Sequence, residues 1–246
     1  MKFFFHIGQY FYMLKRVFSR PEKHKMYIRR LFHEIDALGV SSVWLVIIIS
    51  LFIGGIMVIQ FAYALANPLY PQTLVGLGTR DTLILEFSST MMALILAGKI
   101  GSNITSEIGT MRVTEQIDSL EIMGVNSASF LILPKIVAVV FIFPFLFIIS
   151  VAFGLLGGLI TGPIAGVITV TDYLDGIRWL FYPYYVSFSL IKSFFFGFLV
   201  ASVPAYFGYH VQGGALDVGK ASTLAVVNTN VLILLFDLIL TQLLLT

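Results

Sequence analysis

Three ionisable side chains lie within runs of apolar residues that are long enough to cross a membrane: Glu86, Lys192 and Asp237. An unpartnered charge in hydrocarbon costs roughly 2.5–3.5 kcal/mol on insertion scales, so each of them needs a partner or a function. The sequence allows two interpretations. Glu86 and Lys192 border a polar pocket open to the outer side, or they pair with each other or with Asp237 and stabilise the helix bundle.

Other kinds of chemistry have no support in the sequence. It contains no phosphate-binding G-x-x-x-x-G-K-[ST], no H-E-x-x-H and no G-x-S-x-G motif. Cysteine is absent, and the four histidines have no metal-ligand spacing. We therefore expect no catalytic residue, no metal site and no cofactor in this chain, so that any work it performs is driven by a gradient or by another subunit.

The composition indicates a membrane protein. Of 246 residues, 58% are hydrophobic and 11% are charged, against roughly 25% charged residues in soluble domains. A net charge of +2 could suggest nucleic acid, but the basic residues lie where membrane topology would place them. We predict an all-α integral membrane protein that does not bind nucleic acid.

Residues 1–40 predict two amphipathic helices at the cytoplasmic membrane interface, separated by Pro21. The alternative is a soluble helical hairpin packed on another element. The proposed apolar faces are Phe4, Ile7, Phe11, Leu14 and Phe18 in the first helix, and Ile28, Leu31, Phe32, Ile35 and Leu38 in the second. Residues 41–246 are predicted to form a single domain.

Five spans are predicted, at about residues 43–65, 82–104, 133–156, 184–206 and 224–245. The third is ambiguous, because residues 130–170 are apolar throughout and could form a hairpin of two spans. We prefer one span followed by a glycine- and proline-rich outer segment. Glycines recur every four residues in this run and predict close helix packing: Gly154, Gly158, Gly162 and Gly166.

The distribution of lysine and arginine predicts the orientation. Residues 1–40 hold eight of them, residues 99–135 three and residues 209–222 one, whereas Arg80 and Arg178 lie on the opposite side. This bias places the N-terminus in the cytoplasm and, with five spans, the C-terminus outside. A six-span arrangement would move Arg178 and the C-terminus inside without changing the bias much, so charge alone leaves both open.

Residues 106–124 predict a short amphipathic helix between the second and third spans. Val113, Ile117, Leu120 and Met123 form a narrow apolar stripe. Polar residues cover the rest of the surface: Arg112, Glu115, Gln116, Asp118 and Glu121. Such a helix can lie at the cytoplasmic surface and offer a face to a soluble partner.

Residues 85–138 resemble the signature region of MlaE/YrbE-type permeases. The matching elements are AGKIGS at 97–102, EIGTMRVTEQIDSLEIMGV at 107–125 and the following Pro134. Three later segments follow in the order expected for this family: LIKSFFFGF at 190–198, GKAST at 219–223 and FDLILTQ at 236–242. These permeases are the membrane subunits of MCE-associated ABC transporters, which move phospholipids between the inner and outer membranes of diderm bacteria.

The resemblance implies a homodimeric inner-membrane permease of an ATP-driven phospholipid transporter. Its partners would be an MlaF-like ATPase that binds ATP and magnesium, an MlaD-like MCE-domain protein and, as an accessory subunit, an MlaB-like STAS-domain protein. The implied lipid pocket contains Glu86, Lys192, Gln60 and Tyr63, with Asp237 as a structural charge. The implied coupling helix contacts the ATPase through Glu107, Arg112, Glu115, Gln116, Asp118 and Glu121.

The chain departs from the family pattern at two sequence positions and in an N-terminal basic segment that is longer than typical. Leu85-Glu86-Phe87-Ser88-Ser89 replaces R/K-E-L-G-P, and Lys220 replaces a common arginine. The alternatives to an ABC permease are a secondary transporter that uses Glu86, Lys192 and Asp237 as an ion relay, and a membrane scaffold that transports nothing.

Overall fold

The computed structural model describes residues 2–19, 24–67 and 69–245. The described residues form eleven α-helices and three π-helical segments, and they contain no strand. The α-helices are α1 (Lys2–Val17), α2 (His24–Glu34), α3 (Ser41–Ala64), α4 (Thr73–Thr82), α5 (Met92–Leu96), α6 (Ser102–Val113), α7 (Gln116–Ile122), α8 (Ser127–Ile164), α9 (Val170–Arg178), α10 (Pro183–Tyr209) and α11 (Ala215–Leu245). The π-helical segments are Ile35–Val40, Leu83–Met91 and Ala97–Gly101.

Five continuous helical stretches among the described residues are long and apolar enough to cross a membrane. They are Tyr27–Ala64, Thr73–Val113, Ser127–Ile164, Pro183–Tyr209 and Ala215–Leu245. This confirms the prediction of an all-α integral membrane protein with five spans. The stretches exceed the predicted spans at several ends, because polar residues can extend a helix beyond the hydrocarbon layer without breaking its hydrogen bonds.

The ambiguous apolar run forms one helix. The 38 residues of α8 continue without a turn, which agrees with a single crossing rather than a hairpin. At 1.5 Å per residue this helix is about 57 Å long, well beyond the roughly 30 Å of the hydrocarbon core. The helix α8 continues to Ile164, beyond the end near residue 156 that we predicted for the span, so the point at which it leaves the hydrocarbon core stays a prediction.

The segment at 106–124 is two helices, and our prediction of one amphipathic helix was wrong. Residues up to Val113 belong to α6, which continues the second span, and α7 begins at Gln116. Glu115 has φ 59°, a left-handed conformation that interrupts the helical hydrogen bonds. The predicted stripe is therefore not a single face: Ile117 is buried, whereas Met123 is 67% exposed.

The first N-terminal helix packs through Met13 and Val17, which are buried, and through polar contacts of His6 and Tyr10. His6 Nδ1 lies 2.8 Å from the Tyr206 hydroxyl, and the Tyr10 hydroxyl lies 2.7 Å from Ser202 Oγ. Most of the predicted apolar face is exposed instead, including Phe4, Ile7, Phe11 and Phe18. An exposed apolar face is what an interfacial helix requires, although it does not by itself exclude the alternative of a packed hairpin.

The second N-terminal helix is not separate from the first span. The helix α2 passes through the π-helical segment Ile35–Val40 into α3 without a break, so our prediction of a distinct helix at 25–38 was wrong. No proline or glycine pair between Glu34 and Ser41 would end the helix. Pro21, the predicted break between the two N-terminal helices, lies outside the described residues.

The chain divides into two compact units. The first comprises residues 1–41, 93–143 and 194–246, and the second comprises residues 42–92 and 144–193. In the first unit, Thr105 Oγ1 on α6 donates 3.0 Å to the carbonyl of Pro204 on α10. A buried cluster of Val58, Val75, Ile168 and Tyr173 forms part of the core of the second unit.

Glycines permit the closest packing in the second unit. A Cβ atom on Gly54 of α3 would come within 1.7 Å of the Gly154 carbonyl oxygen on α8. The predicted small-residue face is thus confirmed at Gly154, but Gly166 lies beyond α8 with φ 68°. Gly176 of the unpredicted helix α9 also packs closely on α4, where a Cβ would meet the Thr73 carbonyl oxygen at 2.2 Å.

Candidate functional site

Glu86 and Lys192 form an ion pair within the second unit. Lys192 Nζ on α10 lies 3.3 and 3.4 Å from the two carboxylate oxygens of Glu86, and it donates 3.1 Å to the carbonyl of Leu85. Thr90 Oγ1 donates 3.2 Å to the same carboxylate. The Lys192 ammonium also lies 5.0 Å from the centre of the Phe188 ring. Both charges therefore have partners inside apolar helices.

The pair is asymmetric in its exposure. The Lys192 side chain is fully buried, whereas 42% of the Glu86 side chain is exposed. The carboxylate lies on the π-helical segment Leu83–Met91, and such wide turns are frequent at functional sites. A molecule that approaches this site would meet carboxylate oxygens before it meets the ammonium.

The structure thus confirms the pairing that we considered for these residues, while the pocket role stays a prediction. Asp237, the third intramembrane charge, lies on α11 in the first unit, where it is partly buried.

Tyr63 lines a separate cavity of about 510 Å³ in the second unit. Its lining residues are Ala62, Tyr63, Leu65, Ala66, Asn67, Tyr70, Gln72, Val75 and Val167. Gln60, one helical turn earlier on α3, is exposed. Glu86 and Lys192 are not among the lining residues, so the structure brings together two of the four predicted pocket residues and places Tyr63 at a second concave surface.

The segment between the second and third spans has an exposed tip. Glu115 and Gln116 are exposed, and at the other end of α7 Ile122 and Met123 are 87% and 67% exposed. Arg112 Nη1 on α6 donates 2.5 Å to Asp118 Oδ1 on α7. This ion pair bridges the break at Glu115 and connects the two helices.

Glu121 holds α7 against the rest of the first unit. Its Oε1 accepts hydrogen bonds from Ser127 Oγ at 2.8 Å, Arg16 Nη2 at 2.9 Å and the Tyr209 hydroxyl at 3.0 Å. These bonds, that of Ser127 first, hold the pKa of the Glu121 carboxyl below its ordinary value against partial desolvation. Of the predicted coupling residues, Glu121 is the one most committed to internal contacts.

A second buried lysine, which our sequence interpretation missed, forms an ionic triad. Lys135 Nζ on α8 lies 2.7 and 2.8 Å from the Glu34 carboxylate oxygens and 2.7 Å from Glu107 Oε2. The Lys135 side chain is 2% exposed. The triad ties α2, α6 and α8 together and places Glu107, a predicted coupling residue, in an internal contact. Two signals were available: a charge within an apolar run, and the single acidic residue of α2.

Within the described residues, no group of three histidine, aspartate or glutamate side chains is arranged to hold a metal ion.

Comparison with known proteins places these features in a family context. The family described as Permease MlaE matches residues 31–243. A probable ABC transporter permease protein of Rickettsia bellii is 30% identical over 218 residues, 89% of this chain and 84% of that protein. The intermembrane phospholipid transport system permease protein MlaE of Haemophilus influenzae is 29% identical over 245 residues, 97% of this chain and 92% of that protein. The matched region includes the Glu86–Lys192 pair and the whole of α6 and α7.

Proposed function

We propose, because this chain belongs to the MlaE permease family, that it is the membrane-spanning subunit of an ATP-driven phospholipid transporter. The chain is a non-catalytic, multi-pass permease of the inner membrane. Its substrate would be a phospholipid moved between the inner and outer membranes, so that the lipid composition of the two membranes is maintained. The observation that carries the proposal is the family match over 31–243 on a chain with five spanning helices.

ATP would be bound and hydrolysed by a partner ATPase. The exposed tip at Glu115 and Gln116, together with Ile122 and Met123, supports α7 as the coupling helix that contacts this partner. Because Glu121 and the Arg112–Asp118 pair fix α7 to its surroundings, a push on the tip would be transmitted into α6 and hence into the second span. A flexible tip would absorb the same motion.

The Glu86–Lys192 pair is the proposed lipid contact. A phospholipid headgroup would first meet the exposed Glu86 carboxylate, and Lys192 would reach a phosphate only by giving up part of its contact with Glu86. Gln60 and Tyr63 on α3 are proposed to line the same route. Their exposed side chains and the cavity beside Tyr63 offer a surface on which acyl chains or headgroups could rest.

The proposed assembly contains two copies of this chain, the ATPase, an MCE-domain protein on the outer side and, as an accessory subunit, a STAS-domain protein. The N-terminus would be cytoplasmic and the C-terminus periplasmic. The lysine and arginine bias supports this orientation.

Transport by a reconstituted assembly tests the proposal. Proteoliposomes that contain this chain, its ATPase and its MCE-domain protein should transfer labelled phospholipid only with hydrolysable ATP. Transport by this chain alone under an ion gradient would instead support the secondary transporter. A complete assembly that binds ATP but transfers no lipid would support the scaffold.

The coupling helix has its own test. Glu115→Lys with Asp118→Lys should weaken capture of the ATPase and abolish stimulation of its activity, since the charge at the exposed tip is reversed and the Arg112–Asp118 ion pair is lost. The matched control is Asp175→Lys, an exposed position on α9 that lies on the opposite side in the proposed topology. Equal ATPase capture by both variants contradicts the coupling role.

A further inference from the structure

An aromatic segment joins α9 to α10 in the second unit. Trp179, Leu180, Phe181, Tyr182 and Tyr184 are between 44% and 54% exposed. The sequence from 179 to 191 contains no aspartate, glutamate, lysine or arginine. Five large side chains thus form a continuous uncharged surface, which we call the aromatic ridge (residues 179–184).

A buried arginine fixes the backbone of this ridge. Arg80 at the end of α4 is 1% exposed. Its Nη1 donates to the carbonyls of Ile177 and Trp179, both at 2.7 Å, and its Nη2 donates to the carbonyl of Leu180 at 3.2 Å. Its Nε donates 2.8 Å to Asp81 Oδ1, which balances the charge. The backbone carbonyls at the end of a helix have no donor within that helix. Here one guanidinium donates to three of them, those of Ile177, Trp179 and Leu180.

The same contacts hold an unfavourable backbone conformation. Leu180 has φ 47°, a left-handed geometry that a leucine rarely adopts. The Arg80 guanidinium also lies 5.6 Å from the centre of the Phe181 ring, which orients that ring. Such strain persists where the surrounding structure determines it, and it is often found where a surface must be held ready for contact. Contacts within the protein therefore hold the backbone of the ridge without a bound partner.

The position of the ridge indicates what covers it. It leads directly into α10, a helix that is long and apolar enough to span a membrane. Tryptophan and tyrosine concentrate at the boundary between headgroups and acyl chains, because their rings are apolar and their N–H and O–H groups are polar. The exposed Arg178 immediately before the ridge can reach headgroup phosphates.

We propose that the aromatic ridge is a preorganised interfacial anchor that inserts between the headgroups and upper acyl chains of the leaflet in which α10 begins. Arg80 is its positioning residue. Lys192 follows Pro183 by nine residues, about 14 Å along the helix, so the anchor would also set the depth of the Glu86–Lys192 pair. The inference depends on α10 spanning the membrane and not on what the protein transports.

The two tryptophans of the chain allow a direct measurement of depth. Trp44→Phe leaves Trp179 as the only tryptophan, and Trp179→Phe leaves Trp44, on α3, as the matched control. The full chain would be placed in phosphatidylcholine nanodiscs in which some lipids carry bromine either near the glycerol backbone or near the chain ends. We expect Trp179 emission to be quenched more strongly by the shallow bromine than by the deep one, and weakly by aqueous iodide.

Strong quenching by iodide without quenching by either lipid would overturn the anchor, and it would leave the ridge for a soluble partner. The ordering by Arg80 is tested with Arg80→Lys in the Trp44→Phe background, because lysine retains the charge but loses the planar fork. The ratio of shallow to deep quenching should fall toward unity, while Arg178→Lys should leave it unchanged. An unchanged ratio in a folded Arg80→Lys protein would overturn the role of Arg80. If the Arg80→Lys variant does not fold, the quenching of Trp179 in the Trp44→Phe protein still decides whether the ridge is an interfacial anchor.

Discussion

At the scale of single residues, the most informative side chains are two lysines that are almost fully buried. Lys192 is paired with Glu86, and Lys135 is shared by Glu34 and Glu107. The two sites differ in charge balance, because the first is neutral and the second carries one excess negative charge. They also differ in access, since the side chains of Glu86 and Glu107 are 42% and 47% exposed while that of Glu34 is 12% exposed. Removal of a single partner should therefore affect the two sites differently.

Loss of the Glu86 carboxylate should destabilise the protein and impair transport. Removal of one member of a fully buried ion pair costs roughly 3–5 kcal/mol. Because Glu86 is partly exposed, we expect Glu86→Gln to cost about 1–2 kcal/mol. Thermal unfolding in detergent micelles measures the stability, and phospholipid transfer measures function. Glu86→Gln with Lys192→Met should recover stability without recovering transfer; recovery of both would exclude a lipid contact.

Replacement of Lys135 should be more damaging. Lys135→Met leaves two carboxylates that shared one ammonium, and we expect a loss of roughly 3–5 kcal/mol. The matched variant adds Glu34→Gln and Glu107→Gln, which removes the repulsion, and it should recover most of the thermal stability. If Lys135→Met alone unfolds at the wild-type temperature, the triad does not contribute to stability.

At the scale of elements, the long apolar runs were predicted correctly and the short polar helices were not. The first, fourth and fifth spans follow from hydrophobic length, which leaves few alternatives in a bilayer. The break at Glu115 could not be predicted, because neither Thr114 nor Glu115 is a typical helix-ending residue. The helix α9 did have a signal: Thr169 Oγ1 accepts from the Asp172 amide at 3.1 Å, a capping pattern visible in the sequence.

The left-handed conformation of Glu115 can be tested by substitution. A β-branched side chain is strained at φ 59°, so Glu115→Val should cost roughly 1–3 kcal/mol of local stability. Hydrogen exchange of the α7 amides should become faster. Gln116→Val is the control, since Gln116 is exposed and begins α7 with helical geometry. Equal exchange in the two variants would show that the break does not constrain α7.

The docking of α7 should weaken in acid. The pKa of Glu121 is lowered in the folded protein, chiefly by the hydrogen bond from Ser127. The stabilisation is therefore complete above the ordinary glutamate pKa and is lost as the pH falls through the lowered folded value. Hydrogen exchange of α7, corrected for the intrinsic effect of pH, should show this loss in wild type. The same loss in Glu121→Gln would assign it to another group.

At the scale of the whole molecule, the number of crossings decides the orientation of every other feature. The unbroken helix α8 and five spanning stretches favour an odd number of crossings. The cytoplasmic N-terminus proposed above would then place α7 and its exposed tip in the cytoplasm, and α9 and the aromatic ridge on the outer side. Charge counting does not choose between five and six spans, because the sixth span would move Arg178 inside and Lys220 outside and so leave the bias the same. The continuity of α8 is what separates the two arrangements.

Site-directed labelling tests this topology without interference, because the chain contains no cysteine. Gln116→Cys on α7 and Asp175→Cys on α9 are both exposed positions. In intact cells permeable only at the outer membrane, an impermeant maleimide should label Asp175→Cys and not Gln116→Cys. Both positions should react after the inner membrane is opened, which controls for reactivity. Protection of Asp175→Cys in intact cells would place α9 inside, as six crossings require, and it would also move the aromatic ridge to the cytoplasmic leaflet.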